Sequence, residues 1–430
     1  MSELYISSLA RAVEGGKPPE KNFKFELSVE RLVVEGHELG ARQLNAELKD
    51  DLRLDLSLHD KGLGLSVFQR KDDEETYFTL NGIKIAAIPV NITSSNEGEH
   101  IFMVLQTRPV ATTSTTFTKM KLSVVNGPEL HREGVPLSFC DSDVSFKYTQ
   151  FRGLKESFRS ARRLPANFFT GFLEVTFRNP VDFDDAFREA CRWAHLASFI
   201  RSGDVGLGFG VLIDLNGTIV GEVLEANRSD PTSGARNFYD LVVQNDLPAL
   251  YGGFFEVSRT DAELIRVINR VIQFYRSSSA IRPSSLDMAI VAAGAGLEAA
   301  VPFILKRYGG WDNDLLSSRA KFSSKLRAAY TAMGVQDDFL LPHPVLEGLS
   351  KDKNGIDGFS IISLVRNRIA HPEEKFRLEG IGYYSVWNMQ MWLLEVIIFY
   401  FLGYRGQMAD RRVVSGFQKL GGEVPLRPIR

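Results

Sequence analysis

The hydrophobic period of this chain changes near residue 258. Upstream, apolar residues alternate or cluster in short runs; downstream, they recur three and four positions apart. Period two makes strands and period 3.6 makes helices, so the chain must build a β-rich part followed by a helical part. From Phe23 to about Tyr148 the segments F-K-F-E-L-S-V, L-R-L-D-L-S-L, I-F-M-V-L-Q-T and M-K-L-S-V-V read as strands, set apart by polar stretches such as N-I-T-S-S-N-E-G-E-H. L-E-V-T-F adds another strand, and Asp182 to Ser202 reads as an amphipathic helix. Asn216-Gly217 between two apolar runs signals a two-residue hairpin. Residues 150–250 therefore read as α+β and join the β-rich part.

Past residue 258, Thr260-Asp-Ala-Glu263 is a capping-box sequence, with Leu264, Ile268, Val271 and Tyr275 behind it at helical spacing. Further helices are expected from Pro283 through Leu305, Arg319 to Met333, Asp357 to Ala370 and Gly382 to Leu402, about five in all. A chain of 430 residues exceeds the roughly 250–300 residues of one core. The fold class is thus α+β: a β-rich N-terminal module over 21–256, an all-α bundle over 257–405, and arms at 1–20 and 406–430.

The formal net charge of -2 leaves no global field for a polyanion, so any nucleic-acid contact must be local. Two cysteines, Cys140 and Cys191, make neither a disulfide framework nor a metal set. The run M-W-L-L-E-V-I-I-F-Y-F-L from Met391 is too short to span a bilayer and contains Glu395. The expectation is a cytoplasmic protein without a membrane span, metal or cofactor.

The expected fourth helix reads D-G-F-S-I-I-S-L-V-R-N-R-I-A-H-P. Phe359, Ile362, Val365 and Ile369 fall on one face, and Arg366, Asn367 and His371 form its polar C-terminal end. Asn367 and His371 are four apart, so their side chains can touch. Pro372 disfavours helical backbone at His371, which leaves the imidazole at a helix terminus. The set suffices for metal-independent RNA cleavage. An imidazole takes a proton from a ribose 2′-OH, a guanidinium stabilises phosphate charge, and an amide orients either group. Against this stands the plain structural reading: cations near a helix C-terminus suit its dipole and cap free carbonyls.

R-N-R-I-A-H resembles the R-N-x-x-x-H motif of the HEPN superfamily and sits, as there, on the penultimate long helix of a bundle. The closing L-L-E-V-I-I-F-Y-F-L-G-Y and the upstream S-S-L-D-M-A-I-V-A-A-G-A-G-L-E-A-A look like the ApeA-like HEPN branch over roughly 250–405, and the β-rich module before the bundle matches that layout. The resemblance implies Arg366, Asn367 and His371 as catalytic residues and Glu298 in support. It further implies a homodimer through the bundle, an RNA substrate, and abortive-infection defence against phage, with the β-rich module sensing a phage-derived trigger. HEPN-like bundles also occur as non-catalytic nucleotide-, RNA- or protein-binding modules.

Other features carry two readings each. Glu298 contacts Arg366 or tunes His371, or else is a buried acid paired with any nearby Arg or Lys; Glu395 reads as a structural salt bridge or interface group. Arg152, Lys155, Arg159, Arg162 and Arg163 make an RNA-backbone rail or a solvated helix face. Gly206, Gly208 and Gly210 precede a strand rather than join strand to helix, so they read as a flexible turn and not a dinucleotide loop. His195 reads as a core or boundary residue, and His343 as a loop residue. His37, His59, His100 and His131 lack metal-ligand spacing.

Overall fold

A computed structural model describes residues 6–17, 23–49, 54–60, 75–95, 98–105, 109–130, 133–155, 157, 167–226, 247–317, 319–334, 344–371, 378–408 and 422–423. They belong to two units, residues 1–195 with 204–232 and residues 196–203 with 233–430.

In the first unit, β1 (Lys24–Val34) buries Phe25, Leu27 and Val29 and exposes Lys24, Glu26 and Ser28, the alternation of a strand with one wet face. The phase slips at Glu30-Arg31, where the register with β2 (His37–Leu48) shifts, and Leu32 returns inside. The order continues through β3 (Leu54–Asp60), β6 (Gly98–Leu105), β5 (Ile83–Ser95) and β4 (Tyr77–Leu80), and β4 pairs back on β1 to close a barrel. Leu27, Leu44, Leu56, Phe78 and Met103 help fill it, each contributing about 1.5–3 kcal/mol of burial. Asn81-Gly82 turns β4 into β5 with both residues at positive φ, 51° and 78°, as a type I′ hairpin requires.

A seven-stranded antiparallel sheet completes the unit, in the order β7 (Val110–Ala111), β13 (Ile219–Ala226), β12 (Gly206–Ile213), β8 (Phe117–Val125), β11 (Phe169–Val181), β10 (Val144–Gln150), β9 (Leu137–Asp141). Two expectations are corrected here. Gly206, Gly208 and Gly210 are no turn but part of buried β12, bulged at Phe209. A Cβ on Gly210 would lie 2.3 Å from the Lys121 carbonyl oxygen, so glycine there serves close strand approach. The Asn216-Gly217 turn is longer than two residues. Asp214 accepts from Asn216 N–H and Thr218 N–H, and only Gly217 of that pair has positive φ.

Residues 1–20 are not wholly an arm. Ser8–Glu14 form α1, which buries Leu9, Ala10 and Val13 and packs on β12 and β8. Of residues 406–430, the described ones include Gln407–Met408 (β14) paired with Gly422–Glu423 (β15). Asp182 precedes α2 (Phe183–Arg201), whose last residues, from Leu196, belong with the second unit.

The second unit holds α3 (Leu247–Thr260), α4 (Ala262–Ile281), α5 (Leu286–Arg307), α6 (Asn313–Ser317), α7 (Phe322–Ala332), α8 (Pro344–Asp352), α9 (Gly358–Ala370) and α10 (Gly380–Phe401). The expected helices correspond to α4, α5, α7, α9 and α10. The unit starts before residue 257, because α3 belongs to it. Asp261, not Thr260, caps α4, its side chain accepting from Leu264 N–H at 2.9 Å; Thr260 still ends α3. From Ser385 to Phe401, α10 is buried on every side, which marks a central core helix. Among the described residues one helix, α5, is long and apolar enough to cross a membrane by length and composition, yet 56% of its apolar window is buried in the protein. It packs against α4 and α10, the setting of a core helix.

Candidate functional site

Helix α9 carries the polar motif, and its start is fixed first. Asp357 is the N-cap, its carboxylate accepting from Ser360 N–H at 3.0 Å and from Arg327 Nε–H at 2.8 Å. Phe359, Ile361, Ile362 and Val365 are buried, while Ile369 is only half buried. Burial pushes the Asp357 carboxyl up, but Ser360 and Arg327 outweigh it and hold the group below its usual range. Its contribution is therefore present above about pH 4 and lost as pH falls through the lowered folded value. Asp357→Ala is expected to cost about 1–2 kcal/mol, read from urea unfolding at pH 7; an unchanged midpoint would remove the cap from this account.

With the apolar face turned inward, the next residues fall at the rim. Arg366 Nη2 lies 2.9 Å from both carboxylate oxygens of Glu298 on α5. Arg366 Nη1 donates to Asn367 Oδ1 at 3.3 Å. The two members of the ion pair are 29% and 39% exposed in their side chains, so the pair adds at most about 1 kcal/mol. The Glu298–Arg366 contact is formed, a pairing that either reading of Glu298 allows. Glu298 is half exposed rather than a core acid.

His371 is the C-cap of α9 at φ -133°, ψ 79°, its N–H donating to Asn367 O at 2.8 Å. The helix ends there, as expected of a residue that precedes a proline; Pro372 itself lies outside the described residues. The imidazole is exposed and hydrogen-bonds to none of the described residues. Asn367 Oδ1 accepts from Arg366, and no side-chain hydrogen bond joins Asn367 to His371 among the described residues. Arg366, Asn367 and Glu298 are brought together, and His371 stands at the exposed end of the same helix.

A cavity of about 30 Å³ lies beside this cluster, lined by Gly294, Glu298, Phe322, Ile362, Ser363, Arg366, Asn367 and Gln390. It holds about one water molecule and cannot admit a nucleotide. Gln390, in the middle of α10, is fully buried. Sequence reasoning passed over it because it sits inside the apolar stretch V-W-N-M-Q-M-W. Glu395, one turn and a residue further along, is also fully buried and accepts from Tyr275 Oη at 2.6 Å, and Ser202 Oγ donates to that hydroxyl. That hydrogen-bonded setting is structural.

In the first unit Arg152 and Lys155 are exposed. Arg159, Arg162, Arg163, His131 and His343 lie outside the described residues. His195 is half buried on α2. His59 and His100, far apart in sequence, stack across β3 and β6 with ring centroids 4.1 Å apart. Among the described residues no group of three or more His, Cys, Asp or Glu could hold a metal ion. A groove of about 580 Å³ in that unit is lined by Val110, Thr113, Ser114, Asp182, Phe183 and Phe187 among others.

The family model described as the YopA C-terminal domain matches residues 261–420. No curated protein matches the chain, and no solved structure does. Over the matched stretch, which begins at the cap of α4 and includes Glu298, Arg366, Asn367, His371 and Gln390, the chain is similar to that domain.

Proposed function

We propose that the helical unit is a metal-independent endoribonuclease of HEPN type, acting through Arg366, Asn367 and His371 with Glu298 in support. The observation that carries this reading is the shared end of α9: an exposed imidazole at the C-cap, and one turn before it a guanidinium held by Glu298 and Asn367. In the reaction His371 takes the proton of a ribose 2′-OH. The 2′ oxygen attacks phosphorus, the P–O5′ bond breaks, and the departing 5′ oxygen takes a proton from solvent, to which His371 then gives up its own. Arg366 stabilises the charge that builds on the phosphate. The products are a 2′,3′-cyclic phosphate and a 5′-OH.

The cavity beside Arg366 is too small for a nucleotide, so the RNA lies over the outer surface of α9. The HEPN resemblance implies a homodimer through the bundle, with two copies of the motif facing each other to enclose the RNA. The β-rich unit then senses a phage-derived trigger, with its groove as the concave surface of suitable size, and the protein acts in the cytoplasm in abortive-infection defence.

The test is to incubate the purified chain with a ribo-oligonucleotide and its 2′-deoxy counterpart, with and without EDTA. Cleavage of the ribo form alone, unaffected by EDTA and leaving a cyclic phosphate, is the expected result. Tight RNA or nucleotide binding without cutting would replace it with the second reading, a non-catalytic binding module. That reading draws on one observation: both terminal nitrogens of Arg366 are already engaged within the chain.

A further inference from the structure

Behind the guanidinium of Arg366 lies a second polar group that the reaction above does not use. Gln390 is 0% exposed, and neither its Nε2 nor its Oε1 has a hydrogen-bond partner among the described residues. Arg366 Nε is likewise buried and without an acceptor among the described residues. Both residues line the same 30 Å³ cavity. Gly294 keeps the space between them open: a Cβ there would lie 3.4 Å from Gln390 Nε2, 3.9 Å from Arg366 Nε and 3.3 Å from Arg366 Cγ. Buried amides without partners are destabilising and rare, so a side chain of this kind beside a functional arginine calls for a reason.

We propose that Gln390, Arg366 Nε and Gly294 form a socket for a single water molecule, and that Gln390 is thereby a positioning residue for Arg366. The hydrogen-bond inventory chooses the occupant. Two donors, Arg366 Nε–H and Gln390 Nε2–H, and one acceptor, Gln390 Oε1, meet at a cavity of one-water size. A water accepts from both donors and donates to the amide oxygen, making the three bonds usual for a buried water. A phosphate oxygen satisfies the donors but meets the amide oxygen with like charge. Held at Nε, the guanidinium keeps its outer edge, Nη1 and Nη2, aimed outward. Substrate phosphate then competes with Glu298 and Asn367 for that edge without the side chain having to reorient.

This rests on the nuclease reading for its kinetic test, and on none of it for its spectroscopic one. Gln390→Met keeps the side-chain length and removes the polarity. In the full chain it is expected to lower kcat for oligonucleotide cleavage about tenfold, with KM within about twofold and Tm not reduced. Gly294→Ala, whose methyl enters the socket, is expected to do the same, and the double variant to lose no more than either single one. A merely structural glutamine would instead lower Tm and leave kcat alone. Independently, the Arg366 Nε–H of arginine-labelled protein, assigned by its loss in Arg366→Lys, should exchange slowly with solvent and faster in Gln390→Met. Unchanged kcat and unchanged exchange in Gln390→Met overturn the socket. If the wild-type chain cuts no RNA, the nuclease reading falls and the exchange result alone decides: acceleration supports the socket and no change overturns it.

Discussion

Replacing His371 or Arg366 by alanine is expected to lower RNA cleavage by about a hundred- to ten-thousandfold while leaving the fold in place. The magnitudes follow from the roles. A positioned general base contributes about 10²–10⁴ in rate, and a donor to developing charge about 10²–10³. The stability side is far smaller. His371 is exposed, makes no side-chain hydrogen bond to the described residues and sits at a helix end. Arg366 is tied to a carboxylate that is 39% exposed, so Glu298 left alone is rehydrated, at a cost of about 1 kcal/mol or less. Loss of more than a hundredfold in rate with Tm nearly unchanged thus separates chemistry from unfolding. Arg366→Lys sharpens the test, because lysine keeps the charge and lacks the planar fork; it should remain nearly as impaired as alanine. Both alanine variants cutting as fast as the wild-type chain would sink the assignment of the site.

The α9 motif was legible because its determinants are local. Asp357 caps, Phe359, Ile362 and Val365 recur at helical spacing, and Pro372 follows directly on His371, where the helix ends. Gln390 and the Glu298 contact were not legible in the same way. They depend on α5, α9 and α10 meeting across a separation of 68 residues between Glu298 and Arg366, and spacing within one helix says nothing of that. The boundary was misplaced for a similar reason. Gly252 and Gly253 lie inside α3, ahead of the change of period near residue 258. Yet a Cβ on Gly253 would stand 2.2 Å from the Leu402 carbonyl oxygen, so the glycine serves the close approach of α3 to the end of α10. Strands were visible by alternation, whereas closure of the barrel by β4 on β1 rests on long-range pairing. The α1 helix was hidden because only seven residues carry it, too short for periodicity to register.

That short helix is held by the group with the clearest pH dependence in the first unit. Ser7 is the N-cap of α1, accepting from Ala10 N–H. Its hydroxyl donates to Glu222 Oε2 at 2.5 Å, and its N–H donates to the same carboxyl at 3.3 Å. Glu222 is 1% exposed on β13. Burial pushes its carboxyl up to about 7 from an ordinary 4.5, against the downward pull of the Ser7 hydrogen bonds. The folded state thus holds a proton that the unfolded chain gives up. The resulting stabilisation is complete below the unfolded value and is lost as pH rises through the folded one. A shift from 4.5 to about 7 corresponds to about 3 kcal/mol lost across that window. Glu222→Gln keeps the acceptor for Ser7 and removes the titration. The expected result is that urea unfolding of the wild-type protein weakens between pH 4.5 and pH 7.5 by about 3 kcal/mol more than that of Glu222→Gln. The variant should be the more stable of the two at pH 8, since an ionised carboxylate at 1% exposure carries a desolvation cost that a neutral amide does not. Parallel pH profiles for the two proteins would show that the folded state binds no such proton, and that the Ser7 hydrogen bonds alone offset the burial of the charge.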